Sequence, residues 1–229
     1  MHSPTSTDAV KEMFNRISPT YDLLNFLLSF GVHNLWARRA VTAVPAEPSG
    51  VCLDLCTGTG ALVPMLSKRF GRVVAADISP GMLELGRRKH SDIKNCQWVE
   101  ANALELPFSD GEFDVTTVAY GVRNWPDPAR GLAEVLRVTR AGGKIVVLEF
   151  GQPKNALWRA VFGWYSRWII PFLGKSISGD ADAYRYLPET SAAFPCREVF
   201  CSLLEKEGWK SPRFSPLMGG IAYIYTAEK

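Results

Sequence analysis

Apolar residues recur at two spacings along this chain, and the change falls near residue 50. Before it the spacing is helical. Val10, Met13, Phe14 and Ile17 share one face of a helix that starts at Asp8 and ends before Pro19. A second apolar segment runs from Tyr21 to Phe30 and is broken by Gly31. A third helix passes through Trp36 to Val44. Pro45 to Gly50, with two prolines and a glycine, reads as a linker.

From Val51 short apolar runs alternate with helical patterns. This is the signature of βα units and a mostly parallel sheet. Strands are expected at Val51–Leu55, Arg72–Ala76, Gln97–Glu100, Phe113–Tyr120 and Lys144–Phe150. Helices are expected near Leu62–Arg69, Gly81–Lys89 and Ala129–Thr139, with Gly142-Gly143 turning into the fifth strand. Residues 152–190 interrupt the rhythm with Trp158, Phe162, Trp164, Tyr165, Trp168, Ile169, Ile170 and Phe172. A helix near Arg197–Glu207 then leads into strands at Ser211–Leu217 and Ile221–Ala227. Gly219-Gly220 joins these as a hairpin, so one strand runs antiparallel. The result is an α/β chain of one domain. It has a helical lead-in (1–44), a ligand-binding core (51–150), a substrate-side insertion (152–190) and a C-terminal helix with a strand hairpin (197–229).

Composition narrows the class. At 47% hydrophobic and 21% charged, the 229 residues make neither a disordered nor a fibrous protein. A net charge of +3 is too mild for nucleic acid but permits contact with an anionic membrane surface. The five cysteines match no zinc or disulfide spacing, which points to reduced thiols in a cytoplasmic protein and to no bound metal. Residues 1–8 are polar, unlike a signal peptide, and no run of about 18 apolar residues offers a transmembrane helix.

The strongest chemical signal is Asp54-Leu55-Cys56-Thr57-Gly58-Thr59-Gly60, between the first core strand and a helix. Gly58 and Gly60 let the backbone turn tightly and approach a ligand. Asp77 ends the second strand, where a carboxylate takes both hydroxyls of a ribose. The third small residue of a dinucleotide fingerprint is missing, since Ala61, Leu62 and Val63 follow Gly60. Asp54 suits a cationic ligand better than a pyrophosphate, and Asn102-Ala103 stands where an amide recognises an adenine edge. Together these favour S-adenosylmethionine over NAD. A plainer reading has Asp54 and Asp77 only capping turns.

Tyr120-Gly121-Val122-Arg123-Asn124-Trp125-Pro126 follows the fourth strand. Arg123 is always charged and can stabilise a developing phenolate, though it is a poor base. Asn124 can hydrogen-bond a ring oxygen. Equally, Arg123 could pair with a surface carboxylate and Asn124 could open a turn.

With these residues in place, the chain resembles the ubiquinone/menaquinone biosynthesis C-methyltransferases, which are class I S-adenosylmethionine enzymes with a Rossmann-like fold. Four stretches carry the resemblance: Phe14 to Asp22 with the segment through His33 and Trp36; Leu53 to Gly60; Tyr120 to Asn124; and Ala183 to Thr190 with Phe194-Pro195. It implies a seven-stranded, mostly parallel sheet with one antiparallel strand. It implies that Thr59, Asp77, Asn102, Ala103 and Tyr120 line the cofactor, and that Tyr21, Arg123, Asn124 and Tyr184 border a prenylated quinol. The family often has glycine where Cys56 stands, aspartate where Ala61 stands, and a small residue where Tyr120 stands.

The chemistry implied is methylation of a quinol ring carbon through its phenolate, most readily demethylmenaquinol to menaquinol. Arg123 would stabilise that phenolate, and His33 is a candidate base because its pKa lies near neutral. The aromatic stretch 157–172 reads as a wall for an isoprenoid tail, with Arg159 and Arg167 at lipid phosphates, or as a core or homodimer helix. Another lipid-like acceptor, an NAD enzyme, or a cofactor-binding regulator without catalysis are the alternatives. Intact Arg123 and Asn124 weigh against the last.

Overall fold

The computed structural model describes residues 6–169 and 181–229, the side chains of 181–185 and 187 aside. Three helices open the chain: α1 (Thr7–Ile17), α2 (Tyr21–Ser29) and α3 (Val32–Thr42). Then follow β1 (Glu47–Leu55), the single turn α4 (Val63–Leu66), β2 (Phe70–Asp77), α5 (Pro80–Lys89), β3 (Cys96–Glu100), β4 (Phe113–Ala119), α6 (Pro128–Val138) and β5 (Thr139–Phe150). After these come α7 (Ala156–Trp164), which runs into a π turn at Tyr165–Ile169, then α8 (Ala181–Ala193), α9 (Glu198–Lys206), β6 (Lys210–Leu217) and β7 (Ala222–Glu228).

The strands form one sheet of seven in the order β3-β2-β1-β4-β5-β7-β6. β1, β2, β3, β4 and β5 pair in parallel, and β7 runs antiparallel to both β5 and β6. The expected hairpin therefore inserts its second strand next to β5. Alternation along the strands builds a core on each face. Leu53, Leu55, Ile145 and Val147 pack towards α6 and α9, with Leu132, Val135, Phe200 and Leu204. Cys52, Val73, Val115, Val146 and Leu148 pack towards α3, with Trp36, Ala37 and Val41.

Three expectations change. Glu47–Gly50 is not linker: it extends β1, with Glu47 opposite Phe70 and a register shift before Val51. The bulge lets Pro48 sit in the strand without a ladder bond. The helix expected over Leu62–Arg69 keeps one turn, because Arg69 and Phe70 turn back into β2. Gly142-Gly143 lies inside β5, which begins directly from α6 at Thr139.

Helix starts follow the sequence closely. Ser79 and Asp127 cap α5 and α6, each before a proline at the first helical position, and accept hydrogen bonds from Met82 N (3.2 Å) and Arg130 N (3.0 Å). The lead-in is tied to this core by Asn15 of α1. Its Oδ1 accepts from Ser79 Oγ at 2.6 Å and from Gly81 N at 3.1 Å. Met13, Ile17, Leu24 and Leu28 then bury against Met82 and Tyr186.

Asn15→Ala leaves Gly81 N and Ser79 Oγ without this acceptor while removing no core atom. The expected loss is about 1–2 kcal/mol. That lowers the thermal midpoint by roughly 2–8 °C in a chain of this size, measured by circular dichroism melts.

Candidate functional site

The site lies where the chain changes direction across the sheet. β1 continues to β2 on one side, whereas β4 lies on its other side. Their carboxyl ends part there and open a crevice. The residue after each strand has a left-handed backbone: Cys56 at φ 57° and Tyr120 at φ 56°. Such a φ is costly for any side chain. It explains why glycine suits the position of Cys56. Cys56 holds it nonetheless, and its Sγ accepts from Trp125 Nε1 at 3.4 Å.

Two cavities meet at this point. The smaller, about 660 Å³ with its mouth included, is lined by Gly58, Asp77, Ile78, Asn102, Ala103 and Asn124, among others. The larger spans about 2590 Å³ with its mouth included. Its walls come from α2, α3, α7 and the start of the glycine loop, with Asp54, Thr59, His33 and Arg123 among them. Cys56, Gly58, Tyr120, Tyr21, Phe14 and Ala119 line both.

Asp54 and Asp77 do cap turns, as the plainer reading had it, and they also line the cavities. Asp54 Oδ2 accepts from Thr57 Oγ1 (2.6 Å) and Oδ1 from Thr117 Oγ1 on β4 (2.8 Å). Burial pushes its carboxyl up to about 6, against the pull of these two hydroxyls. Asp77 Oδ2 accepts from Gly58 N at 2.8 Å and Oδ1 from Ser79 N at 2.9 Å. Its carboxyl too is raised by burial. Asn102 lines the smaller cavity with its Oδ1 held by Leu104 N at 3.0 Å.

The two glycines divide the work. A Cβ on Gly58 would meet nothing within 4 Å, so this glycine faces open space. One on Gly60 would come within 2.5 Å of the Trp98 ring. Gly60, at φ 81°, makes the tight turn expected of it and also leaves room for Trp98. Thr59 lines the larger cavity, and its hydroxyl is taken by Asp22 Oδ1 at 2.6 Å. Ala61 is exposed at the rim.

Arg123 does not pair with a surface carboxylate. Its Nη1 donates to Glu149 Oε1 at 3.0 Å and to the Tyr120 carbonyl, and its Cζ lies 5.4 Å from the centre of the Phe150 ring. Glu149 is fully buried, and its Oε2 accepts from Arg123 N at 3.3 Å. Burial raises the Glu149 carboxyl, while Arg123 pulls it down. Among the described residues, Arg123 Nε, Asn124 Oδ1 and Tyr120 Oη are buried with no hydrogen-bond partner. Asn124 Nδ2 donates to the Tyr120 carbonyl at 3.1 Å. The Tyr120 ring packs on Phe150 with centroids 4.6 Å apart. Tyr21 lies within the field of Arg123, and burial raises its phenol.

His33 also lines the larger cavity. Its Nδ1 is 2.6 Å from Ser29 Oγ, which is 2.6 Å from the Asn25 carbonyl. The carbonyl can only accept, so the single hydroxyl hydrogen goes to it. His33 Nδ1–H must then donate to Ser29, which leaves Nε2 with its lone pair. Burial lowers the His33 pKa, and Asp22 opposes that.

The structure thus brings together Asp54, Gly58, Thr59, Asp77, Asn102, Ala103, Tyr120, Tyr21, Arg123, Asn124 and His33 around two joined cavities. It leaves Gly60 behind them. The side chain of Tyr184, with Ile170 and Phe172, lies outside the described residues; Tyr186 is buried on the cavity wall. Glu149 was missed, although a carboxylate closing the apolar run Ile145–Leu148 was a visible signal.

The model of the ubiE/COQ5 methyltransferase family matches residues 2–229. The demethylmenaquinone methyltransferase of Thermus thermophilus is 44% identical over 220 residues, covering 95% of this chain and all of that protein. A ubiquinone/menaquinone biosynthesis C-methyltransferase of Idiomarina loihiensis is 37% identical, covering 96% of this chain and 90% of that one. An S-adenosylmethionine-dependent methyltransferase of Thermotoga maritima shares the fold at a TM-score of 0.69 and 20% identity, over 96% of this chain and 99% of the other.

Asp54→Asn tests the cost of the buried carboxylate. A raised pKa means that the ionised form is less favoured in the folded protein than in the unfolded one. The penalty is absent below about pH 4 and complete above about 6. The ligand-free variant should therefore be more stable than the parent at pH 8, by an amount on the order of 3 kcal/mol, and melt alike at pH 4.

Proposed function

Given that the chain belongs to the ubiE/COQ5 methyltransferase family, we propose that it methylates a ring carbon of a prenylated quinol, demethylmenaquinol before a methoxy-benzoquinol. The observation that carries this reading is the pair of joined cavities with Arg123, clamped by buried Glu149, in the wall of the larger. The relative at 44% identity, whose name specifies demethylmenaquinone, favours the naphthoquinol.

The residues present fit S-adenosylmethionine lying from the smaller cavity into the larger, across the residues that line both. Asp77 would hold the ribose, Asn102 and Ala103 the adenine, and Asp54 with Gly58 and Thr59 the charged amino-acid end. The unpartnered Asn124 Oδ1 and the open space over Gly58 fit a polar, cationic ligand. When bound, this cofactor supplies an electrophilic methyl group to a nucleophilic carbon.

The protein's own part is positioning and charge. Tyr21, Tyr120 and Phe14 line both cavities and hold the quinol ring at the junction. The guanidinium of Arg123 stabilises the phenolate oxygen as the ring hydroxyl loses its proton. It can do so without search, since Glu149, the Tyr120 carbonyl and the Phe150 face fix its plane. Asn124 orients a second ring oxygen. His33 Nε2 receives the hydroxyl proton, directly or through a water, and once the ring carbon holds the methyl group the proton it carried passes to the ring oxygen, which restores the aromatic quinol. The apolar wall of α2, α3 and α7 excludes water and takes the tail.

The assay is methyl transfer from labelled S-adenosylmethionine to a reduced short-tailed demethylmenaquinol, beside a methoxy-benzoquinol. Product should form faster with the naphthoquinol. Arg123→Ala should lower kcat by roughly 100-fold or more while cofactor still binds; unchanged turnover refutes the assigned role.

His33→Gln should act on the pH profile. His33 accepts a proton only when neutral, and its pKa is lowered, so the parent's kcat should fall as pH drops below the ordinary histidine value. At saturating cofactor the variant should be slower and lose that acid limb. A limb that persists assigns it to another group.

A further inference from the structure

Two helices near the mouth of the large cavity carry apolar stripes that face outward. On α2, Leu23, Phe26, Leu27 and Phe30 recur at i, i+3, i+4 and i+7, and all are exposed, Phe30 at 83%. The opposite side of α2 buries Leu24 and Leu28. On α7 and the π turn after it, Leu157, Val161, Trp164 and Trp168 recur at i, i+4, i+7 and i+11. They are exposed at 74, 48, 61 and 63%. No residue of α7 is fully buried, and Phe162, on the side away from the stripe, packs against the core. The two helices are tied by Tyr165 Oη, which donates to the Leu28 carbonyl at 2.7 Å. Phe30, Val161 and Trp164 line the cavity and are exposed, so they form its rim.

Charge is as one-sided as the apolar surface. Residues 23–46 contain no acidic residue, and neither do residues 150–169. The same stretches hold Arg38, Arg39, Arg159 and Arg167, all exposed. The carboxylate just before α2's stripe, Asp22, is paired with Lys89 at 2.8 Å. No helix among the described residues is long and apolar enough to cross a membrane.

We propose that the α2–α7 face is a docking surface for an anionic lipid bilayer, with the two stripes set into the headgroup boundary and the rim of the cavity opening towards the acyl chains. Tryptophans at the edge of an apolar stripe suit that boundary, where one end of the ring is dry and the other wet. Arginines beside them meet lipid phosphates. A second copy of the chain is the competing occupant, but it would bring like charges from two acid-free stretches together. The inference stands on this surface and not on the identity of the quinol.

Flotation with vesicles tests it. The full chain should float with vesicles of equal parts phosphatidylcholine and phosphatidylglycerol, and remain behind with phosphatidylcholine alone. Added salt should weaken the binding. Arg167→Ala should weaken partition by roughly fivefold, and Phe26→Glu with Trp168→Glu should abolish it. These three side chains line neither cavity, so turnover of a tail-less quinol should stay within about twofold of the parent, which also shows that the variants fold. That control separates failure of the docking surface from failure of the proposed activity. Flotation with neither vesicle, equal flotation with both, or unaltered flotation of the variants overturns the proposal. So does a dimer of the lipid-free protein that Phe26→Glu dissociates, which would assign the face to a second copy.

Discussion

Everything in this molecule depends on the parting of β1 and β4 at their carboxyl ends. A parallel sheet buries its strands on both faces, so a ligand cannot reach its centre from above or below. The place left open is the edge where consecutive connections leave in opposite directions. The backbone must turn away sharply on both sides of that opening. It does so at Cys56 and Tyr120, each in a left-handed conformation that glycine adopts at lower cost. The strain is kept by what surrounds it: the Trp125 indole on the Cys56 sulfur, and the Phe150 ring against Tyr120.

Three strands deliver a carboxylate to this region, and each is more costly to ionise than it would be in water. Asp54 is the penultimate residue of β1, Asp77 the last of β2 and Glu149 the penultimate of β5. All three have raised pKa values because burial outweighs their donors. A core evolving for stability alone would use apolar residues there. The arrangement makes sense as preorganisation. Asp77 fixes the loop through Gly58 N, Asp54 joins β1 to β4 through Thr117, and Glu149 fixes Arg123. The cost is met once, on folding, and not again at each turnover.

Much of this was legible in the chain. The short apolar runs from Val51, alternating with helical patterns, placed the strands and helices of the core, because short-range geometry decides those features. The glycine loop and Asp77 could be placed at the same crevice because a strand must end before each. What stayed hidden depends on distant partners. Glu47–Gly50 reads as linker since its pairing with β2 is invisible locally. That Gly60 also makes room for Trp98 shows only once the two are seen together. Arg123 could be a surface group or a site group until Glu149 is found below it.

The lead-in helices show why the site cannot be assigned to the sheet alone. Asn15 caps α5 from α1, and Asp22 holds both Thr59 of the glycine loop and Lys89 of α5 from α2. The same α2 supplies Tyr21 to the junction and Ser29 to His33. Any displacement of α2 must break the bond from Thr59 to Asp22, a charge-assisted contact worth about 1–3 kcal/mol. The loop beside the smaller cavity and the wall of the larger one are therefore not independent. Order in one favours order in the other, through a side chain that touches neither reacting centre.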